Sequence, residues 1–151
     1  MALTDRVVSG PEHLFRDGVI KTVTGSDPAA NAEFSETVPA GKCWKLLSVS
    51  VSCVQGITQT PFPSLVVDDG TRTVYQAFSG TAAQNSSITT QHTWGPGLAA
   101  AGSGASTANQ GPLPSNLLLG PGCRVRSSTT GIGANTDYGA PTFLLVEYSA
   151  A

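Results

Sequence analysis

The side chains that could do chemistry in this sequence are few: two histidines, His13 and His92, and three cysteines, Cys43, Cys53 and Cys123, with scattered carboxylates. General acid–base or nucleophilic catalysis needs a base with an acid or nucleophile in hydrogen-bond reach. His92 stands in the run SSITTQHTW, close to Trp94, and no such partner falls beside it. A packed or surface histidine is the expectation. There is no HExxH, no CxxC and no pair of histidines at ligand spacing, so the sequence offers no zinc site. Asp68-Asp69-Gly70 has two of the oxygens a calcium loop needs, but not the spaced set of about six to eight, and reads as a turn. Glu33, Glu36 and Glu147 lie in separate segments, and nothing in the sequence sets the separation a glycosidase pair requires. Gly102 and Gly104 sit in a Gly/Ser/Ala stretch without a lysine or a following helix, which is no phosphate loop. Trp44 and Trp94 both fall in strand-like runs, where core packing outweighs sugar stacking. We therefore expect no catalytic residues, no cofactor and no metal.

The elements that would position these side chains are strands. KCWKLLSVSVSCV, from Lys42 to Val54, alternates Leu47, Val49, Val51 and Cys53 with Ser48, Ser50 and Ser52, the period of a half-buried strand. Trp44 and Leu46 fall on the opposite parity. Either a bulge near Leu46–Leu47 switches faces, or both faces are covered there. Residues 65–77 read as a hairpin, LVV and TVYQAF about Asp68-Asp69-Gly70. In SSITTQHTW, Ile88, Thr90, His92 and Trp94 share one face, and Gly95-Pro96-Gly97 ends the run. CRVRS turns Cys123 and Val125 inward and Arg124 and Arg126 outward. A short strand is expected within 33–38 and a last one in PTFLLVEYS. Residues 98–111, LAAAGSGASTANQG, have neither period nor charge and read as a flexible loop, as does STTGIGANTDYGA. Residues 1–32 read as an arm or peripheral strand, with Val19, Ile20 and Val23 as strand formers, and 33–151 as the folded domain. No amphipathic helical period lasts three turns. Seven or eight short strands with frequent turns predict an all-β antiparallel sandwich or barrel.

Composition narrows the function classes. Only 12% of residues are charged, against about a quarter in an average domain, while 40% are hydrophobic, so the chain is not disordered by composition. The net charge is −2 and Lys and Arg form no cluster, which leaves nucleic acid no electrostatic handle. No apolar run reaches the ~20 residues a membrane helix needs, and the N-terminus carries no signal-like apolar region. An odd cysteine count without a secretion signal argues against a disulfide framework, leaving the three as small buried hydrophobes in a cytoplasmically folded chain. The last strand carries Phe143 and Leu145 on one parity and Leu144, Val146 and Tyr148 on the other, so both faces want cover. Its own loops or a subunit interface would each supply it.

The segments VPAGKCWKLLSVSV, LLLGPGCRVRSST and TFLLVEYS resemble the turn-and-strand segments of small jelly-roll proteins in tailed-phage virions, both head decoration (cement) proteins and tail-associated modules. The likeness runs through Val38 to Leu46, Leu117 to Ser127 and Phe143 to Tyr148. It implies a jelly-roll-like antiparallel β-sandwich with an N-terminal arm. It further implies a non-enzymatic homotrimer that decorates the capsid, with the major capsid protein as partner and the virion surface, after assembly in the host cytoplasm, as location. On that reading residues 1–24 contact the lattice, with Arg6, Val7, Val8, Leu14 and Phe15 as contacts, and Phe143, Leu144, Leu145, Val146 and Tyr148 form the trimer seam. The alternative from the same likeness is a tail or fibre module, or a carbohydrate-binding sandwich, that recognises a host surface; exposed Trp or Tyr beside the 98–111 segment would favour it. An enzyme is the most distant reading and would require His92 to meet an acid in a deep pocket.

Overall fold

The computed structural model describes residues 18–56 and 60–150. Its strands in chain order are β1 (Val19–Thr24), β2 (Ser35–Thr37), β3 (Lys42–Val54), β4 (Phe62–Asp68), β5 (Thr73–Phe78), β6 (Thr89–Gly95), β7 (Ala108–Pro112), β8 (Leu118–Leu119), β9 (Arg124–Thr130), β10 (Asp137–Tyr138) and β11 (Thr142–Ser149). No described residue is helical.

Four antiparallel pairings nest inside one another: β1 with β11, β2 with β9, β3 with β6, and β4 with β5. They describe one long hairpin whose tip is the turn between β4 and β5. Rolling that hairpin up brings β11 against β3 and β9 against β4. The result is a larger sheet in the order β1-β11-β3-β6-β7 and a smaller one in the order β2-β9-β4-β5. Eight strands in two Greek-key sheets, with this nesting, are a jelly roll. Strands β8 and β10 pair with the two ends of β3.

Of the two alternatives at Leu46–Leu47, the bulge is the one present. Leu144 faces Ser48 and Leu145 faces Leu46, so Leu47 has no partner on β11. That extra residue lets Trp44 and Leu46, before it, and Val49, Val51 and Cys53, after it, all point inward. They meet Leu65 and Val67 of β4, Val125 of β9, Trp94 of β6, and Phe143 and Leu145 of β11 in one core. Phe34 lies edge-on to Tyr138, their rings 5.8 Å apart at 86°, a favoured aromatic geometry. As expected, both tryptophans are core residues.

Two loop readings are corrected. The 98–111 segment is not a plain flexible loop: from Ala108 it becomes β7, lying parallel to β6, and Ala101 bridges back to Gln110. Its small residues permit close packing. A Cβ on Gly111 would stand 2.4 Å from the Phe78 carbonyl oxygen and 2.7 Å from the Trp94 ring. The stretch STTGIGANTDYGA contains β10 and buries Tyr138. Within 1–32, Val19–Thr24 pairs with β11 along its whole length, and Val23 packs against the core. The peripheral strand is therefore part of the sheet, whereas Arg6, Val7, Val8, Leu14 and Phe15 lie outside the described residues.

The two faces of β11 make a sharp test of this packing. Phe143→Ala should destabilise the protein by about 3–5 kcal/mol, as buried aromatic truncations do. Leu144→Ala, one residue away on the outer face, should cost under about 1 kcal/mol. Urea unfolding of the two variants measures both; equal losses would contradict the assigned faces.

Candidate functional site

His92 is the side chain closest to catalytic chemistry, and the structure spends it on packing. It points inward from β6 and is fully buried. Its Nδ1 lies 2.6 Å from the Ser79 hydroxyl and its Nε2 lies 3.2 Å from Gln84 Oε1. The Gln84 amide nitrogen donates to the carbonyls of Cys53 and Ile88, which fixes the amide orientation. Gln84 Oε1 must then accept, so Nε2 carries the imidazole proton and Ser79 donates its own to Nδ1. A serine donating to a histidine is the first half of a nucleophile–base pair. The second half needs a carboxylate to stabilise the imidazolium, and here a neutral amide stands in its place. Burial pushes the histidine pKa down to about 4, and Ser79 is as buried as its partner.

Glu33, Glu36 and Glu147 each have their own partners. Glu33 accepts from the Thr129 backbone N–H and hydroxyl, and Glu36 accepts from the Ser26 N–H. Glu147 accepts from Trp44 Nε1 at 3.0 Å and pairs with Lys21 at 2.9 Å and Lys42 at 3.4 Å. The Lys21 hydrogen bond leads in lowering its pKa. Cys43 and Cys53 are buried, Cys123 is partly so, and burial raises the Cys53 thiol to about 12. Among the described residues no cluster of His, Cys, Asp or Glu has the makings of a metal site, and no helix is long and apolar enough to cross a membrane.

Asp69, the true turn residue, accepts from the N–H groups of Thr71 and Arg72, and Gly70 takes a positive φ of 92°. Asp68 does something the sequence reading missed. It ends β4 with its side chain almost wholly covered, 2.7 Å from Arg124 Nε and 2.8 Å from Arg126 Nε. Burial raises its pKa, but hydrogen bonds from Arg124, Arg126 and the Gly70 N–H outweigh it, and the net value falls to about 2. The partners lie 56 and 58 residues along the chain. Only the outward parity of the two arginines hinted at a shared acid.

The outer face of the larger sheet is the most distinctive surface. Toward β6 and β7 it is polar: Ser50 and Thr93 share a hydrogen bond of 3.2 Å, and Gln91 donates to Ser50 at 2.7 Å. Beside them an open cleft of about 430 Å³ is lined by Gln91, Thr93, Leu98, Ala101, Asn109 and Gln110, among others. Toward β1 and β11 the same face turns apolar. Ile20 is 67% exposed and lies in register with Val146, and Leu144 is 38% exposed. Tyr148 lies over Gly18, where a Cβ would meet its ring at 2.2 Å. Of the predicted seam, Phe143 and Leu145 are consumed by the core, so only Leu144, Val146 and Tyr148 face outward. Ile20 joins them, brought in by the β1–β11 register.

Acid should reveal the His92 network. A neutral buried histidine binds fewer protons than its unfolded counterpart between pH 6.5 and about 4. Stability is therefore fully present above pH 6.5 and falls by on the order of a few kcal/mol as pH drops through that window. In His92→Gln the slope in this window should flatten while the Asp68 loss, which begins below pH 3.8 and runs toward 2, remains. Chemical denaturation at stepped pH measures it; an unchanged slope in the variant would overturn the assignment.

Set against known proteins, the chain matches no family model, no curated protein and no solved structure.

Proposed function

We propose that this chain is a structural protein of a tailed-phage virion, a jelly-roll subunit that decorates the assembled capsid as a homotrimer and stabilises it without making or breaking bonds. The observation that carries the reading is the apolar half of the larger sheet's outer face, where Ile20, Leu144 and Val146 form a contiguous patch. An exposed apolar patch on a sheet is a surface suited to another polypeptide. The jelly-roll nesting of the strands and the turn-strand segments at Val38–Leu46 and Leu117–Ser127 support the same reading.

The mechanism is linkage. A protein that binds the assembled lattice and not its separated subunits stabilises the lattice by RT ln(1 + [L]/Kd) for each site. Three linked copies multiply weak contacts by raising effective concentration. Leu144, Val146 and Tyr148, with Ile20, form the seam between copies. Residues 1–17, which hold Arg6, Val7, Val8, Leu14 and Phe15, reach the major capsid protein. The outer edge of β1 offers its backbone for an added strand.

A second reading draws on the cleft beside β7, where Gln91, Thr93, Asn109 and Gln110 stand with Leu98 and Ala101, a mixed lining that could hold a host-surface glycan. The burial of both tryptophans weighs against it, since sugar stacking needs an exposed ring. A clear hit on a glycan array would favour it.

Light scattering should give a trimer mass for the wild-type protein, and Leu144→Glu combined with Ile20→Lys should give a folded monomer. Removing residues 1–17 should abolish binding to undecorated capsids while leaving the fold intact. The cut should not extend to residue 24, because that strips β1 from β11. A wild-type monomer with no affinity for any assembled particle would end the proposal.

A further inference from the structure

We propose that Arg124 and Arg126 form a receptor for the carboxylates of an acidic polypeptide segment on the outer face of the smaller sheet. Successive residues of a strand alternate faces, so 124 and 126 project from the same side, about 6–7 Å apart. Asp68 sits beside them and holds both through Nε, at 2.7 and 2.8 Å. The carboxylate is itself fixed by the Gly70 N–H at 2.9 Å. One buried acid therefore aligns two guanidinium planes through their Nε groups and leaves their terminal Nη groups turned to other partners. Among the described residues, the one acceptor for these groups is the Ser127 carbonyl, 3.4 Å from Arg126 Nη1. The arginine side chains remain 41% and 32% exposed.

Charge and surroundings specify the ligand. Two guanidiniums and one carboxylate sum to a single excess positive charge, which a carboxylate neutralises and a phosphate dianion would exceed. Lys21 and Lys42 are different: both are spent on Glu147. On the side away from Asp68, β2 places Ser35 opposite Arg126 and Thr37 opposite Arg124, both exposed. Their hydroxyls can donate to the same ligand. Arginine forks match carboxylates in a bidentate geometry, and a fork already oriented loses less freedom on binding. This site lies on the sheet opposite the apolar patch and does not depend on the virion reading.

The test follows the Arg Nε–Hε resonances of the full chain by NMR while a hexaglutamate peptide is added at constant ionic strength. Saturable shifts confined to Arg124 and Arg126 are expected. Arg124→Gln and Arg126→Gln should each weaken peptide binding at least about tenfold, whereas Lys45→Gln should leave it unchanged. Inorganic phosphate should bind more weakly than the peptide. The wild-type titration stands even if a variant fails to fold. Absence of a saturable shift, equal affinity in Arg124→Gln, or tighter binding of phosphate than of peptide would each overturn the proposal.

Discussion

The fold depends on how β3 resolves its own parity. This strand runs 13 residues and pairs with β11 along one side and β6 along the other, with β8 and β10 at its ends. Its N-terminal half offers Trp44 and Leu46 to the core, and its C-terminal half offers Val49, Val51 and Cys53. A regular strand could bury only one of these sets, because a one-residue slip turns every side chain to the other face. The unpaired Leu47 absorbs the difference. From that one irregularity follow the apolar interior and, on the opposite face, the outward Ser50 that meets Thr93 and Gln91.

A second constraint acts where regular pairing stops. The loops that close the β5–β6 end cannot satisfy their backbone groups with a neighbouring strand, and buried unpaired groups cost roughly 1–3 kcal/mol each. Gln84 supplies the missing partners. Its side chain donates to two carbonyls and its backbone N–H reaches the Pro61 carbonyl. The remaining oxygen then sets the tautomer of His92, which in turn orients Ser79. The arrangement that looks most like an enzyme is thus a means of closing one end of the sandwich, and its low histidine pKa is a consequence of burial. Thr81 and Asn85 complete the closure by donating their backbone N–H groups to Gly102 and Gly104.

These two constraints explain what could be read from the sequence. Strands with one apolar face announce themselves by period two, and β3, β6 and β9 did so, with a bulge as one of the two readings of the broken parity in β3; β11 showed itself as a run apolar on both parities. The Asp-Gly turn announced β4 and β5. Strand β7 has no such signal: it is a short edge strand whose place comes from backbone pairing to β6 and from the tight approach at Gly111. A glycine-rich stretch that packs closely reads the same as one that does not pack at all. Asp68 escaped for another reason. Its partners are remote in sequence, and only the rolled hairpin brings the end of β4 beside β9. The surface patch was half legible: the double parity of β11 was visible, but which half faced outward, and that Ile20 would join it, required the register of β1.

The two outer faces differ in what a partner must bring. On the larger sheet the patch around Ile20 and Leu144 gains from any apolar cover, because burial of apolar area is not directional. On the smaller sheet β4 is already covered on its outer side from Ser64 to Asp68. Ser64, Val66 and Asp68 are buried there, with Gln76 and Ser128 bonded to Ser64 and the arginines to Asp68. Val74 of β5 stays exposed near the Asp68 end of that face, but the oriented charges at Asp68 let a partner there be recognised by charge and hydrogen bonding. Nondirectional cover tolerates copies of the same chain related by symmetry, whereas an oriented pair of guanidiniums discriminates among ligands. On the proposed reading, self-association and recognition of a second partner would each fall on its own side of the two-sheet sandwich.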